Sequence, residues 1–425
     1  MRFIIVTMGS EGDVRPYIAL ARELKRSCHE VSIATSPYHG KIIKDFGIHY
    51  IPMKGYAANP PPSLFDGKMT RAIKASLEMM KQGYLEDLWQ VCQGAEVLIY
   101  NIVAFPCFYI AEKLGIPSFG AFVQPHHPTA AFPDPSVTGG RPLGGIFNLA
   151  GFWLFSMLHW HYVRKPINQW REKTLQLPPL SIRDNVLRQM VRKKLHVLYA
   201  YSAAFLPKPA DWRSDRLVVT GYWYLDTIRD YHPPPELNRF LNSGPPPVFI
   251  SIMWNADKFN SKVLHEISDS LEQRIIVHDL YGEMEGMAST EKLFYVKGSL
   301  PHEWLFKRVL VAVHHGGLGI SMNCIRAGIP MITIPADTAG NDHRFWAYQI
   351  SRSGAGIRLS VSKKSRLFVP RLISAIKSIT GNDGIRSQVA EMGRKMNMEN
   401  GVQNAIRYIN ISLKWETKNI GELLS

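Results

Sequence analysis

Residues 313–330 read VHHGGLGISMNCIRAGIP and stand between a valine-rich run and a helical pattern. The residues just before, VLVAV, form a short apolar run of the kind that becomes a buried strand. The turn contains Gly316, Gly317 and Gly319, which lack a Cβ atom and let the backbone approach another group closely. We expect a helix to start near Ile320. The stretch therefore predicts one unit of strand, tight turn and helix.

The same alternation of apolar runs and helical patterns extends along the chain. In the first 120 residues, FIIVTMG, EVSIAT, HYIPM, EVLIYN and PSFGAF resemble strands, with helical stretches such as YIALARELKRS between them. The alternation restarts further on with VFISIM, RIIVHD, KLFYVKG, VLVAVHH and MITIPA. Alternating strands and helices are typical of α/β folds with parallel sheets. The pattern predicts two α/β halves.

The length of the chain also predicts two domains, since 425 residues exceed one ordinary core. The proline-rich stretch YHPPPELNRFLNSGPPPV divides the two halves. We predict an N-terminal domain over residues 1–230, a linker over 231–247, a C-terminal domain over 248–400 and a helical tail over 401–425 that packs back on the N-terminal domain. Ligands of open parallel sheets bind beyond the carboxyl ends of the strands, so the expected active site is the cleft between the domains.

The charge balance points to phosphate-bearing ligands. The chain has 50 Lys and Arg against 35 Asp and Glu, a net charge of +15, and such a surface attracts phosphates on nucleotides, lipids or nucleic acids. The basic residues are scattered, with one dense cluster at Arg188, Arg192, Lys193 and Lys194. Because no basic stripe interleaved with aromatics is present, nucleic acid is not an expected partner.

The cysteines and the first residues favour a cytoplasmic setting. Cys28, Cys92, Cys107 and Cys324 lie far apart without CxxC spacing, so neither a zinc site nor a disulfide framework is predicted. The initial run MRFIIVTMG is too short for the core of a signal peptide.

One uncharged run, over residues 142–163, has the length of a membrane span, which needs about 20 apolar residues. It is interrupted by Asn148, Ser156, His159 and His161. We expect a buried helix, a ligand-binding wall or a surface contact with a membrane rather than a span.

A second glycine-rich loop lies near the start of the chain, in TMGSEGDVRP at residues 7–16. Gly9, Ser10 and Gly12 separate a strand from a helix, where backbone amides can meet a ligand. The loop is not GxGxxG, so the dinucleotide fingerprint is absent. Asp13 has two interpretations, a carboxylate that accepts a proton from a substrate hydroxyl or a helix cap, and spacing alone favours the cap.

The turn of the quoted stretch suits a phosphate, because unpaired amides and the helix dipole meet there. No GK[ST] follows, which excludes a P-loop. Adjacent side chains at a strand end point to opposite faces, so His314 and His315 cannot easily hold one metal ion, and no metal site is predicted. We expect one histidine to pack inward and the other to face a ligand.

A third polar stretch, IPADTAGNDHRFWA at residues 334–347, brings Asp337, Asp342 and His343 to another strand end. Carboxylates there could bind sugar hydroxyls or cap the following helix, and residue type favours the two roles equally.

Five motifs occur in order along the chain: GSEGDVRP from residue 9, INQWREKTLQLPPL from 167, VTGYWYLD from 219, PHEWLF from 301 and HHGGLGISMNCIRAGIP from 314. Together they resemble the GT-B glycosyltransferases of family 1, in particular the sterol and lipid glucosyltransferase branch that includes the glycopeptide-antibiotic glycosyltransferases. The resemblance implies two Rossmann-like domains facing each other across a cleft. It implies an acceptor with a hydroxyl in the N-terminal domain and a UDP- or TDP-sugar in the C-terminal domain, with no metal and no other cofactor.

The resemblance also implies roles for single residues. Asp13 matches the catalytic base, which deprotonates the acceptor for direct attack on the anomeric carbon with inversion. His315 and the amides of residues 316–319 match the diphosphate site, where the leaving group needs its charge stabilised. Asp342 matches the acid that binds hydroxyls of the donor sugar.

Three departures from the branch pattern fall on the donor side. Residues 253–255, with Trp254 at their centre, replace a Gly-Ser-Met turn, and we expect Trp254 near the donor. Ile320 replaces a hydroxyl residue, leaving Ser321 as the nearest substitute, and His343 replaces the Gln of an Asp-Gln pair. The interpretations are an enzyme with an altered donor site or a non-catalytic GT-B homologue that binds a small molecule or partner protein.

The aromatic-rich region over residues 118–161 suits an apolar acceptor such as a sterol, a lipid or a polyketide-like natural product. The predicted acceptor contacts are Gly12, Phe122, His126, Phe132 and Trp153. At least half of the aromatic residues in the region are expected to be ordinary core. With the basic surface, this region permits peripheral contact with the inner face of a membrane.

Overall fold

A computed structural model gives the fold. It describes residues 1–54, 69–135, 142–193, 195–226, 231–251, 259–279, 288–298, 300–335, 341–359 and 367–424. Trp254 with its neighbours Met253 and Asn255, and also Asp337, lie outside the described residues.

The chain forms two compact units. Unit 1 comprises Met1–Leu225 and Glu399–Ser425, and unit 2 comprises Asp226–Met398. Each unit has its own sheet and its own hydrophobic core. The prediction of two α/β domains with parallel sheets is therefore confirmed.

Unit 1 is built on a seven-stranded parallel sheet with the order β3-β2-β1-β4-β5-β6-β7. Its strands are β1 Arg2–Val6, β2 Glu30–Thr35, β3 His49–Pro52, β4 Val97–Tyr100, β5 Ser118–Phe122, β6 His196–Tyr199 and β7 Leu217–Val219. Its helices are α1 Glu11–Arg26, α2 Gly40–Asp45, α3 Met69–Lys81, α4 Tyr84–Val91, α5 Cys107–Leu114, α6 Gly145–Trp170, α7 Val186–Arg192 and, from the chain end, α15 Gly401–Leu424.

Unit 2 is built on a six-stranded parallel sheet with the order β10-β9-β8-β11-β12-β13. Its strands are β8 Val248–Ser251, β9 Ile275–Asp279, β10 Leu293–Lys297, β11 Val311–His314, β12 Met331–Thr333 and β13 Gly356–Arg358. Its helices are α8 Pro235–Asn242, α9 Ser261–Leu271, α10 His302–Leu305, α11 Leu318–Ala327, α12 Asn341–Arg352, α13 Phe368–Thr380 and α14 Asp383–Asn397.

Each sheet has one point where the strand order reverses, next to β1 in unit 1 and next to β8 in unit 2. The connections on the two sides of such a point run to opposite faces and leave a crevice beyond the carboxyl ends of the strands. The loop after β1 and the turn after β11 both lie at these reversals, since β4 adjoins β1 and β11 adjoins β8. The topology thus places both glycine-rich loops where ligands of this fold class bind.

The predicted linker over residues 231–247 belongs to unit 2 and contains a helix. Pro235 occupies the first turn of α8, where its fixed φ favours a helix start. Leu237 and Phe240 of this helix are buried, and the Arg274 guanidinium donates to the Pro245 carbonyl at 2.6 Å. The proline-rich stretch is therefore packed structure, and the boundary between the units falls at residues 225 and 226.

Helix α15 packs on unit 1. Ala405, Ile406, Ile409 and Leu413 join the same core cluster as the strands β1, β2 and β4. The Asn404 amide donates to the Thr220 carbonyl at 3.0 Å. Unit 1 therefore takes part of its core from the last segment of the chain.

This packing can be tested by truncating one buried side chain. Ile409→Ala should lower the free energy of unfolding by about 2–5 kcal/mol, because Ile409 is fully buried and the truncation leaves a cavity. Ile411→Ala is the matched control, since Ile411 is 61% exposed on the same helix and should change stability by no more than about 0.5 kcal/mol. Urea denaturation followed by fluorescence measures both, and equal effects would contradict the docking of α15.

Candidate active site

Asp13 lies in the first turn of α1, directly after β1. Its Oδ2 atom accepts hydrogen bonds from the Ser10 amide at 2.8 Å and the Ser10 hydroxyl at 2.9 Å. Ser10 is the N-cap of α1, so the two residues form a capping box. The N-cap is therefore Ser10 rather than Asp13, and the half-buried Asp13 carboxylate is held in one orientation as its N3 partner. An ionised carboxylate has about four acceptor positions, so capping leaves room for a base role as well.

Gly9 provides the space for this carboxylate. Its φ angle is 139°, and a Cβ atom placed on it would lie 2.4 Å from the Asp13 Oδ2 atom. Only glycine meets both conditions, because a side chain would be strained and would collide with the carboxylate.

His39, for which the sequence pattern predicts no role, supports the same loop. It follows β2, is 2% exposed, and its Nε2 atom lies 3.1 Å from the Gly9 carbonyl oxygen. Burial lowers the pKa of His39, so the ring is neutral near pH 7 and donates through Nε2 to this carbonyl. The signal in the sequence is a histidine shortly after the predicted strand EVSIAT.

Asn101 connects the loop of Asp13 with the next strand. It follows β4, is 6% exposed, and its amide donates to the Met8 carbonyl at 2.6 Å. The amide also lies 3.4 Å from the Thr7 hydroxyl oxygen, and that hydroxyl donates to the Asp13 carbonyl at 2.9 Å. Asn101 therefore fixes the distance between the two loops, and no local pattern in the sequence indicates this role.

An apolar cavity of about 240 Å³ lies in unit 1 beside the segment that follows Asn101. Its walls come from α3, α4, α6, α7 and the segment that follows Asn101, where Ile102 and Val103 line it. Apolar lining residues include Met79, Met80, Phe105, Phe152, Phe155 and Val163. Polar lining residues include Ser76, His126, Asp134, Ser156 and His159. Apolar walls with a few polar groups suit a neutral amphipathic ligand.

The histidines of the cavity are neutral groups. Burial lowers the pKa of both His126 and His159 to about 4. The Nε2 atom of His159 lies 3.2 Å from the Ser76 hydroxyl. Each ring can therefore exchange a hydrogen bond with a ligand hydroxyl without placing a charge in the cavity.

Of the predicted acceptor contacts, only His126 lines this cavity. Phe122 and Phe132 are 2% and 3% exposed and pack behind the wall, Phe122 against the His126 ring at 5.6 Å. Trp153 is half-buried on α6 and Gly12 is exposed on α1, both away from the lining. The helical period explains Trp153, because Phe152, Phe155 and Ser156 share the inward side of α6.

In unit 2, the turn after β11 is tighter than expected. Gly317 is the N-cap of α11, and the helix begins at Leu318 rather than near Ile320. Gly316 has a φ angle of 90°. A Cβ atom on Gly317 would lie 2.5 Å from the His315 Nε2 atom. The glycines therefore allow the His315 ring to lie directly against the start of the helix.

His314 and His315 are both buried, at 1% and 5% exposure. The His314 Nδ1 atom accepts a hydrogen bond from the Gly316 amide at 3.0 Å, and burial lowers the pKa of His314 to about 3. Burial also lowers the pKa of His315 well below its usual value, and the nearby His343 ring adds to the shift. Both rings are neutral, and the inward role falls to His314.

Three ring nitrogens in and beside this turn are buried without a hydrogen-bond partner among the described residues: Nε2 of His314, Nδ1 of His315 and, from α12, Nδ1 of His343. The rings of His315 and His343 lie 4.7 Å apart. Buried polar atoms of this kind normally have a partner, so the cluster has unused capacity to hydrogen-bond a ligand. No group of three or more His, Cys, Asp or Glu side chains within the described ranges is arranged to hold a metal ion.

The prediction for Ser321 is not supported by its position. Its side chain is fully buried, and its hydroxyl donates to the Gly317 carbonyl within α11 at 2.6 Å. The early helix start turns this hydroxyl to the helix backbone. Gly319 is half-buried in the first turn of α11, and Ile320 is 8% exposed.

Asp342 and His343 lie in the first turn of α12, both half-buried. An acidic side chain there is favoured by the helix dipole. His343 approaches the turn after β11, since its carbonyl oxygen lies 3.0 Å from the position of a Cβ atom on Gly316. The structure thus brings together His315, the glycines and His343 within unit 2.

Two parallel α/β units, each with a glycine-rich loop at its strand-order reversal, are the architecture of the GT-B class of glycosyltransferases. The chain belongs to this class. Residues 3–133 match the family model of the glycosyltransferase family 28 N-terminal domain, and residues 261–406 match that of the erythromycin biosynthesis protein CIII-like C-terminal domain. The resemblance noted in the sequence is thereby confirmed.

Curated relatives include two fungal sterol 3-beta-glucosyltransferases. The protein from Yarrowia lipolytica is 32% identical over 430 residues, covering 96% of this chain and 28% of the relative. The protein from Kluyveromyces lactis is 31% identical over 428 residues, covering 95% of this chain and 34% of the relative. The chain thus spans about a third of the length of these relatives.

Solved structures share the fold at low sequence identity. The kitacinnamycin glycosyltransferase superposes with a TM-score of 0.69 at 16% identity, covering 96% of this chain and 98% of that one. The spinosyn rhamnosyltransferase SpnG, complexed with thymidine diphosphate, has a TM-score of 0.65 at 14% identity, covering 96% of this chain and 100% of that one.

The space around Asp13 gives a stability test. Gly9→Ala should destabilise the protein by about 1–3 kcal/mol, because alanine is strained at this φ angle and its methyl group collides with the carboxylate. Gly12→Ala is the matched control, since its Cβ would meet only the Ser10 hydroxyl oxygen at 3.5 Å. Urea denaturation measures both variants, and a Gly9→Ala protein as stable as the Gly12→Ala protein would contradict this packing.

The buried histidines give a pH test. The pKa of His314 is about 3 in the folded protein and about 6.5 in the unfolded chain. Between these values the unfolded chain binds more protons, so stability should fall as the pH decreases, by up to about 1.4 kcal/mol per pH unit for this residue. His314→Asn, which keeps an acceptor for the Gly316 amide, should show a shallower fall. Urea denaturation at pH 7 and pH 5 measures the stability of both proteins. An equal loss of stability between the two pH values in both proteins would contradict the lowered pKa of His314.

Proposed function

We propose that the protein transfers a hexose from a UDP- or TDP-sugar to a hydroxyl of an apolar acceptor, of which a sterol is the leading candidate. Four features support the proposal: membership of the GT-B class, sterol 3-beta-glucosyltransferases among the relatives, a structural neighbour with bound thymidine diphosphate, and an apolar cavity in unit 1. The observation that carries the proposal is that Ile102, in the wall of this cavity, directly follows Asn101, whose side chain binds the Met8 carbonyl in the loop before Asp13.

In the proposed reaction, Asp13 takes the proton of the acceptor hydroxyl. The acceptor oxygen then forms a bond to the anomeric carbon while the bond from that carbon to the diphosphate oxygen breaks, which inverts the configuration. The electron pair of the broken bond leaves with the nucleoside diphosphate. The capping box supports this role because it holds the carboxylate before the acceptor arrives.

We assign the diphosphate to the turn after β11. The amides at the start of α11 and the helix dipole favour an anion there. A neutral His315 can donate one hydrogen bond, and an arriving diphosphate would favour its protonated form. Asp342 and His343 are the proposed contacts of the sugar, and no metal is needed for these steps.

The base is tested with Asp13→Asn. Asparagine keeps an oxygen that can accept from the Ser10 amide, so the cap persists while the proton acceptor is lost. Sugar transfer to a 3β-hydroxysterol, measured by mass spectrometry, should fall by about 10²–10⁴-fold. Ser10→Ala is the control that weakens the cap and keeps the carboxylate, and it should retain most activity.

Full activity of Asp13→Asn would remove Asp13 as the base. Absence of transfer by the unaltered protein, together with no calorimetric binding of UDP-glucose or TDP-glucose, would instead identify a non-catalytic GT-B homologue.

A further inference from the structure

Helix α6 exposes an unusual number of large apolar side chains. Ile146 is 75% exposed, Phe147 64%, Leu154 58% and Met157 58%, and Leu143 just before the helix is 55% exposed. Their spacing of three, four and seven residues places them on one side of the helix. We call these five residues the α6 apolar face. Contiguous exposed apolar groups mark a contact surface.

Basic residues continue this side of α6. Arg164 and Lys165 lie on its later turns, seven to eleven residues after Leu154 and Met157, and Lys165 is exposed. The helix contains no acidic residue. Arg164 and Lys165 therefore extend the apolar face with positive charge.

The opposite side of α6 lines the cavity. Phe152, Ser156, Val163 and Ile167 are buried and line it together with His159. One helix thus separates the cavity from the exposed apolar face. No helix among the described residues has the combination of length and hydropathy needed to cross a membrane.

We propose that the α6 apolar face docks the protein on the surface of an anionic lipid bilayer, with α6 lying in the plane of the interface. The apolar side chains enter the boundary between headgroups and acyl chains, and the basic residues contact anionic headgroups. Charge favours this occupant over a second copy of the chain, which would bring the same positive charges together.

Docking brings the wall of the cavity next to the lipids that dissolve an apolar acceptor. The acceptor can then pass between the bilayer and the cavity beside α6 without crossing water. This part of the inference rests on the proposed function.

Vesicle co-sedimentation of the full chain tests the docking. The protein should bind vesicles of phosphatidylcholine with 30% phosphatidylserine and bind pure phosphatidylcholine at least ten-fold more weakly, with added salt reducing the difference. Phe147→Ser with Leu154→Ser should reduce binding to the anionic vesicles at least ten-fold. The matched control is Met398→Ser with Ile411→Ser, which removes residues that are 79% and 61% exposed elsewhere and should leave binding unchanged.

Unchanged binding by the Phe147 and Leu154 variant, with an unfolding midpoint equal to that of the unaltered protein, would overturn the proposal. A second outcome would also overturn it: the unaltered protein is a dimer in light scattering and does not bind vesicles, while the variant is a monomer. The α6 apolar face would then join two copies of the chain.

Transfer assays separate this inference from the proposed function. The Phe147 and Leu154 variant should transfer sugar normally to an acceptor in detergent micelles and several-fold more slowly to the same acceptor in anionic vesicles. If the unaltered protein transfers no sugar in either format but still binds vesicles, the proposed glycosyl transfer is rejected and the proposed membrane docking stands.

Discussion

The pairing register of β1 with β4 determines the geometry of the site in unit 1. Val6 lies opposite Tyr100 in this parallel pair, so the residues that follow them, Thr7 and Asn101, leave the sheet side by side. The Asn101 side chain can therefore reach the Met8 carbonyl, and the Thr7 hydroxyl can reach the first turn of α1. A slip of one residue would turn these side chains to the other face of the sheet.

The same principle operates in unit 2. His314 pairs with Thr333 of β12, which fixes where the glycine turn begins. The rings of His315 and His343 meet although they follow different strands. In both units, strand register thus determines which residues distant in sequence come into contact.

This dependence explains what the sequence could predict. Strand-helix alternation, the two glycine-rich loops and the class of protein followed from local patterns and ordered motifs. The roles of His39 and Asn101 did not, because each acts on a loop from a neighbouring strand. Ser321 was proposed as a donor contact because it is the hydroxyl nearest to the position that Ile320 occupies, and the start of α11 at Leu318 turns this hydroxyl to the Gly317 carbonyl. The proline-rich stretch over residues 231–247 was interpreted as a linker, yet proline also begins helices, as Pro235 does.

For helix α6, the sequence pattern could not predict which side faces the core. Both of its sides carry large apolar residues, so periodicity could not indicate whether Phe152 or Leu154 faces inward. Packing against α3 and α7 decides it. Trp153 was predicted as an acceptor contact from its residue type alone. Its position on the helix places it outside the lining of the cavity.

The return of the chain to unit 1 has a consequence for biosynthesis. Ala405 and Ile409 complete the core that β1 and β4 begin, yet a ribosome delivers them only after all of unit 2. During synthesis, unit 2 can therefore reach its final packing first, while unit 1 waits with part of its apolar surface uncovered. The core of the unit that begins first is thus the last to be completed, and its uncovered apolar surface is prone to aggregation until then.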